Sequence, residues 1–175
     1  MKDRRGFSLI ELLIVIAIIA IGATVATTNF SLWQNHYSGV GFQREFLSLF
    51  NEGRTRSMAT SLQHHLLIDK DAGKVTLQRW DPGTGRWVSA AQPIVGSRGA
   101  GIASVECTPA ATVPPTFALL FNPDGEVLVQ TNTAGTSASS LTQADIRISA
   151  TNVADRATIR VFGWTARARL SNGWQ

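Results

Sequence analysis

Apolar residues crowd one end of the chain. From Leu12 to Gln43 there is no Asp, Glu, Lys or Arg, whereas beyond that stretch apolar and polar positions alternate. The densest part, Phe7 to Ala26, reads FSLIELLIVIAIIAIGATVA. As a helix rising about 1.5 Å per residue, it matches the hydrocarbon layer of a bilayer, about 30 Å thick. After Ala26, Phe30, Trp33, Tyr37, Val40, Leu47, Phe50 and Met58 return at three-, four-, seven- and eight-residue steps. This spacing predicts that the helix continues amphipathically to about Ser61 and lays one stripe on a globular part. Ser31, Gln34, Asn35, Ser38, Glu45, Glu52 and Arg56 supply the polar face. Gly39 and Gly41 each weaken a helix by about 1 kcal/mol relative to alanine and predict a bend or frayed point.

Beyond residue 62 the pattern changes to short β-type runs separated by turn signals. Strands are predicted at His64–Lys70, Lys74–Trp80, Arg86–Ala90, Ile102–Thr108, Thr116–Phe121, Glu126–Thr131, Ala144–Ala150, Ala157–Phe162 and Ala166–Leu170. Gly-, Pro-, Ala-, Ser- and Thr-rich loops are predicted at Gly96–Gly101, Pro109–Pro115 and Asn132–Ser140. The expected class is α+β: a long amino-terminal helix packed on a carboxy-terminal antiparallel head of one sheet or two.

The chain is 175 residues long, enough for one globular domain. Half of its net charge of +4 lies in Lys2, Asp3, Arg4 and Arg5, so the overall charge is a poor argument for a nucleic-acid partner. Those basic residues precede the apolar run, and no other follows until Arg44, which orients the amino terminus toward the cytoplasm and the head outside it. The single cysteine, Cys107, forms no intrachain disulfide and reads as a small buried hydrophobe, with an intermolecular bridge as the alternative.

Hydrophobicity alone fits a cleaved secretory signal, with small residues around Ala23 and Ala26, or an uncleaved anchor of an ordinary periplasmic domain. Neither explains Glu11. A carboxylate costs about 3 kcal/mol at the centre of a bilayer, less toward its ends, and is a functional candidate by default.

The basic leader, Gly6, then Phe7 with Glu11 four residues later inside FSLIELL, resembles the cleavage and methylation signal of the type IV prepilin-like proteins. The resemblance implies a prepilin peptidase that cuts between Gly6 and Phe7 and methylates the new amino terminus of Phe7. It also implies that Glu11 pairs with the Phe7 amine of a neighbouring subunit. The expected layout is a leader (1–6), a transmembrane part of the helix (7–26), an amphipathic part (27–61) and a β-rich periplasmic head (62–175). In the head, Phe121-Asn122-Pro123-Asp124-Gly125, Thr158-Ile159-Arg160-Val161 and Thr165-Ala166-Arg167-Ala168-Arg169 are similar to H-type pseudopilins of type II secretion and to FimT-like minor pilins. The resemblance implies a structural subunit in the bacterial inner membrane, partnered by other pilin or pseudopilin subunits and extracted into a filament. It does not choose between a secretion pseudopilus and a type IV pilus.

Other constellations carry less. Asp69-Lys70-Asp71-Ala72-Gly73 lacks the ligands of a calcium loop and reads as a tight turn. His64 and His65, adjacent on a strand, face opposite sides and cannot share a metal. Gly83-Thr84-Gly85 and Gly96–Gly101 lack the lysine and strand-to-helix context of a phosphate cradle. No nucleophile elbow is present, and no active site, metal or cofactor is expected. The residual signal is Arg147, Arg156, Arg160, Arg167 and Arg169, interleaved with Trp164 and Trp174. A solvated strand face paired with nearby acids is the simpler reading. The resemblance to FimT-like minor pilins offers a second, DNA contact through Arg160, Arg167 and Arg169.

Overall fold

The computed structural model describes residues 8–110 and 112–174. It forms two compact units, divided between Gln34 and Asn35. The helix α1 runs from Leu9 to Thr60. Ser61 then takes a left-handed φ of 54°, which ends the helix without a glycine.

Eleven strands follow: β1 (His64–Asp69), β2 (Lys74–Asp81), β3 (Arg86–Ser89), β4 (Ile94–Val95), β5 (Gly101–Thr108), β6 (Thr116–Phe121), β7 (Val127–Gln130), β8 (Ser139–Ser140), β9 (Gln143–Ser149), β10 (Ala157–Phe162) and β11 (Arg167–Asn172). They make two antiparallel sheets. The seven-stranded sheet has the order β3-β2-β1-β6-β7-β8, with β4 also on β2; the four-stranded sheet has the order β11-β10-β9-β5. The α+β class and the antiparallel head match the sequence reading. β4, β8 and a short 3-10 turn at Val153–Asp155 were not predicted. A two-residue strand has no alternation to read, and Ser139–Ser140 pairs with β7 through its backbone alone.

Two expectations about α1 need correction. α1 is helical through Gly39 and Gly41, so neither is a frayed point. Gly39 is a site of close packing, since a Cβ there would lie 3.1 Å from Ala150 Cβ and 3.4 Å from Asp155 Cβ. The predicted apolar stripe holds only in part: Phe50 is buried and Val40 and Leu47 are half-buried, but the stripe's other members face out. Phe30, Trp33, Tyr37 and Met58 are exposed, while the buried face is Gly39, Phe42, Gln43, Phe46, Leu49, Phe50, Gly53 and Ser57. Both sets recur at helical steps, but the buried one accepts Gly, Gln and Ser, which a search for large apolar residues passes over.

Each small or polar residue on that face has a reason. A Cβ on Gly53 would lie 2.7 Å from Phe121 Cε2 and 2.8 Å from Leu77 Cδ1, so the absent side chain lets the helix seat on β2 and β6. Ser57 Oγ lies 2.9 Å from Phe121 O, and Gln43 Nε2 donates to Asp155 O at 2.5 Å. Buried polar atoms keep partners this way, since an unmade bond costs more than a made one contributes. Phe46, Phe50, Phe117, Phe121, Leu66 and Ile146 are fully buried and form the centre of the core. In β9 the alternation is strict: Ala144, Ile146 and Ile148 point in, Asp145 and Arg147 out.

Candidate functional site

The processing positions Gly6 and Phe7 lie outside the described residues. Glu11 stands in the first turn of α1, where its backbone N–H donates to Ser8 O at 3.1 Å. A carboxylate is favoured there by the unpaired N–H groups of the helix start. Among the described residues its side chain has no hydrogen bond and no ion pair. Its neighbours are apolar and exposed: Leu9, Ile10, Leu12, Leu13, Ile14 and, further on, Ile21. Every residue from 8 to 24 is exposed. A helix apolar all round with nothing on it is unstable in water and marks a surface meant to be covered. Among the described residues no helix is long and apolar enough to cross a membrane. The run read from the sequence begins at Phe7, outside them.

The arginines of the head fall into two groups. Arg160 on β10 is bound to Asp145 on β9 by two parallel contacts, Nε to Oδ1 at 2.8 Å and Nη2 to Oδ2 at 2.9 Å. These bonds raise its pKa further. Arg147 meets Glu106 on β5 at 2.5 Å, and Arg156 lies 4.6 Å from the centre of the Trp174 ring. Arg167 and Arg169 share one face of β11, the edge strand; both are exposed and neither is ion-paired among the described residues. Of the three arginines considered for DNA, Arg160 is therefore already neutralised, and two remain available.

Two histidines of β1 are held by hydrogen bonds. His64 Nδ1 lies 3.0 Å from Leu62 O. His65, fully buried, stacks on Trp87 with ring centroids 3.7 Å apart, with Nδ1 2.9 Å from Gln130 Oε1 and Nε2 2.7 Å from Gln78 Oε1. Gln130 Nε2 donates to Gly135 O, which fixes its oxygen toward Nδ1–H. A neutral ring then accepts at Nε2, a need that a half-turn of the Gln78 amide meets. Burial lowers the pKa of both histidines. Among the described residues no group of three or more His, Cys, Asp or Glu could hold a metal. The Asp69–Gly73 segment is a tight turn in which Asp69 Oδ1 accepts from Ala72 N–H at 3.0 Å. Cys107 is buried, and burial pushes its thiol up.

Residues 1–27 match the prokaryotic N-terminal methylation motif. Among solved structures the chain is similar to the minor pseudopilin EpsH from the type 2 secretion system of Vibrio cholerae, with a TM-score of 0.50 and 15% identity, covering 74% of this chain and 92% of that one. The chain carries a prepilin-type amino terminus on a pseudopilin fold. No curated protein matches it by sequence. The prepilin-type motif ends at residue 27 and contains Glu11, so it covers the exposed apolar turns and none of the buried stripe. At 15% identity the similarity to EpsH is one of fold, and says nothing about which arginine or histidine acts.

Proposed function

We propose that this chain is a pseudopilin or minor pilin, a structural and not an enzymatic subunit, built into a type II secretion pseudopilus or a type IV pilus. A prepilin peptidase would cut it between Gly6 and Phe7 and methylate Phe7. The first half of α1 would hold it in the inner membrane, amino terminus toward the cytoplasm and head in the periplasm, until extraction into the filament. The observation that carries the reading is Glu11: an acid without a partner among the described residues, inside exposed apolar turns that match a methylation motif. Cleavage at Gly6 supplies the missing cation, an amine at Phe7, and pairing across subunits would set axial register while apolar helices cover one another.

Mass spectrometry of the mature protein tests this. The expected species begins at N-methylated Phe7, with roughly 0.7 kDa removed, whereas signal-peptidase cleavage near Ala26 removes roughly four times as much. A mature chain starting anywhere else would end the proposal and leave a tethered β-rich module. The exposed pair Arg167 and Arg169 favours a second, narrower reading, in which the same subunit touches DNA through the β11 edge.

A further inference from the structure

A cleft of about 470 Å³ opens between the last turns of α1 and strands β1 to β3, lined by Arg56, Thr60, His64, Arg79, Val88 and Ser89. Three of these residues are cationic or can become so, and no carboxylate is among the lining residues. Arg56 is already engaged: Nη1 donates to Ala90 O at 2.7 Å, and Nη2 lies 2.5 Å from Glu52 Oε1. Arg79 is exposed, and its side chain has no hydrogen bond or ion pair among the described residues. His64 is 2% exposed and spends Nδ1–H on Leu62 O, so Nε2 is its remaining ring nitrogen. Burial, with the nearby charges of Arg56 and Arg79, holds this histidine below its ordinary pKa, against the opposing pull of its bond to Leu62 O.

These groups define what fits. One free guanidinium fork matches one planar carboxylate, and a histidine that gains a proton at Nε2 adds a second donor. A phosphate dianion calls for more free donors than Arg79 alone supplies once Arg56 is committed. Val88, Thr60 and Ala90 offer apolar surface for the stem of an acidic side chain. β3 is an edge of the seven-stranded sheet, with backbone groups open to an extended segment arriving alongside.

We propose that this cleft is a docking site for a carboxylate side chain presented by another protein subunit, with Arg79 as the pairing fork and His64 as a second donor. Docking takes up a proton at His64 Nε2, so affinity rises as pH falls. The charged groups acting on that ring are Arg56 from α1 and Arg79 from β2, with Glu52 held on Arg56. The source of the carboxylate rests on the assembly reading; the chemistry of the cleft does not.

The test uses the full chain in detergent micelles, with His64 ring signals assigned through His64→Gln and followed by NMR. The probes are capped tetraglutamate and, separately, inorganic phosphate. Tetraglutamate is expected to raise the His64 pKa, to bind more tightly at pH ~5.5 than at pH ~7.5, and to leave the ring signals of His65 unmoved. Arg79→Gln should weaken binding about tenfold, and Arg79→Lys, which keeps the charge without the fork, by less. An unmoved His64, or Arg79→Gln binding like the wild type, overturns the proposal. A larger shift with phosphate than with tetraglutamate at equal concentration overturns the carboxylate assignment. No filament is needed, so failure here is separate from a failure of the mature amino terminus to begin at methylated Phe7.

Discussion

One helix carries two opposite surfaces. Around Leu13 the side chains are exposed and, Glu11 apart, apolar; around Phe50 a face of the same helix is buried, down to a glycine shaped to Phe121 and Leu77. Both stretches carry large apolar residues, although only the second also carries Arg44, Glu45, Glu52, Arg54 and Arg56. What also differs is whether the partner is encoded in the same chain. The second stretch has its sheet, whereas the first, with Glu11 inside it, has nothing among the described residues to cover it. The proposed assembly would account for both parts of this surface, since lipid can cover the apolar side chains but offers the acid no partner.

The sharpest way to break this contrast is to truncate each stretch in turn. Phe50→Ala empties a fully buried site and should cost about 3–5 kcal/mol in denaturant unfolding of the detergent-solubilised chain. Leu13→Ala should stay within about 0.5 kcal/mol, because that side chain is 59% exposed. Equal losses would mean that the first stretch has an internal partner after all. Glu11→Val comes next. Unfolding of the head should be unchanged, while recovery in sheared filaments falls about tenfold or more, the scale of a lost charge pair in an apolar setting. Normal recovery would remove the carboxylate from assembly.

The self-sufficiency of the head also predicts its pH response. His64 and His65 have pKa values lowered by burial, so the unfolded chain binds more protons than the folded one. Their neutral, buried state contributes stability above the unfolded value near 6.5, lost as pH falls through the lower folded values. Thermal unfolding from about pH 7 downward should show stability falling by up to about 1.4 kcal/mol per pH unit for each histidine. His65→Gln should flatten the slope, and an unchanged slope would place the titration elsewhere.

Much of this was legible in the residues because it depends on local periodicity. Nine strands fall close to the runs that alternation picked out, and the turn at Asp69–Gly73 is where its residue types placed it. Glu11 could be found because an acid in an apolar run is conspicuous. What was missed depends on contacts distant in sequence. The buried face of α1 is set by Ala150, Asp155 and Phe121, which decide that Gly39, Gln43 and Gly53 point inward while Trp33 and Tyr37 do not. The Arg160–Asp145 pair likewise joins residues 15 apart that only the β9–β10 register brings side by side. The cleft around Arg79 combines α1, β1, β2 and β3, and no single segment announces it.

The smallest expected effect concerns whether the head is as satisfied as the contrast supposes. Arg167 and Arg169 are exposed guanidiniums on the β11 edge without an ion pair among the described residues, and any DNA contact there engages about two phosphates, because Arg160 is held by Asp145. Binding of a duplex to the full chain should then be weak, with a log–log salt slope of about −2, and should vanish when both arginines are changed to glutamate. A slope nearer −3 requires Arg160 to leave Asp145. Asp145→Asn would expose that difference by freeing the guanidinium, steepening the slope by about one if Arg160 can reach the backbone. No salt-sensitive binding at all would reduce the pair to a solvated strand edge, where charge keeps a sheet from pairing with the wrong partner.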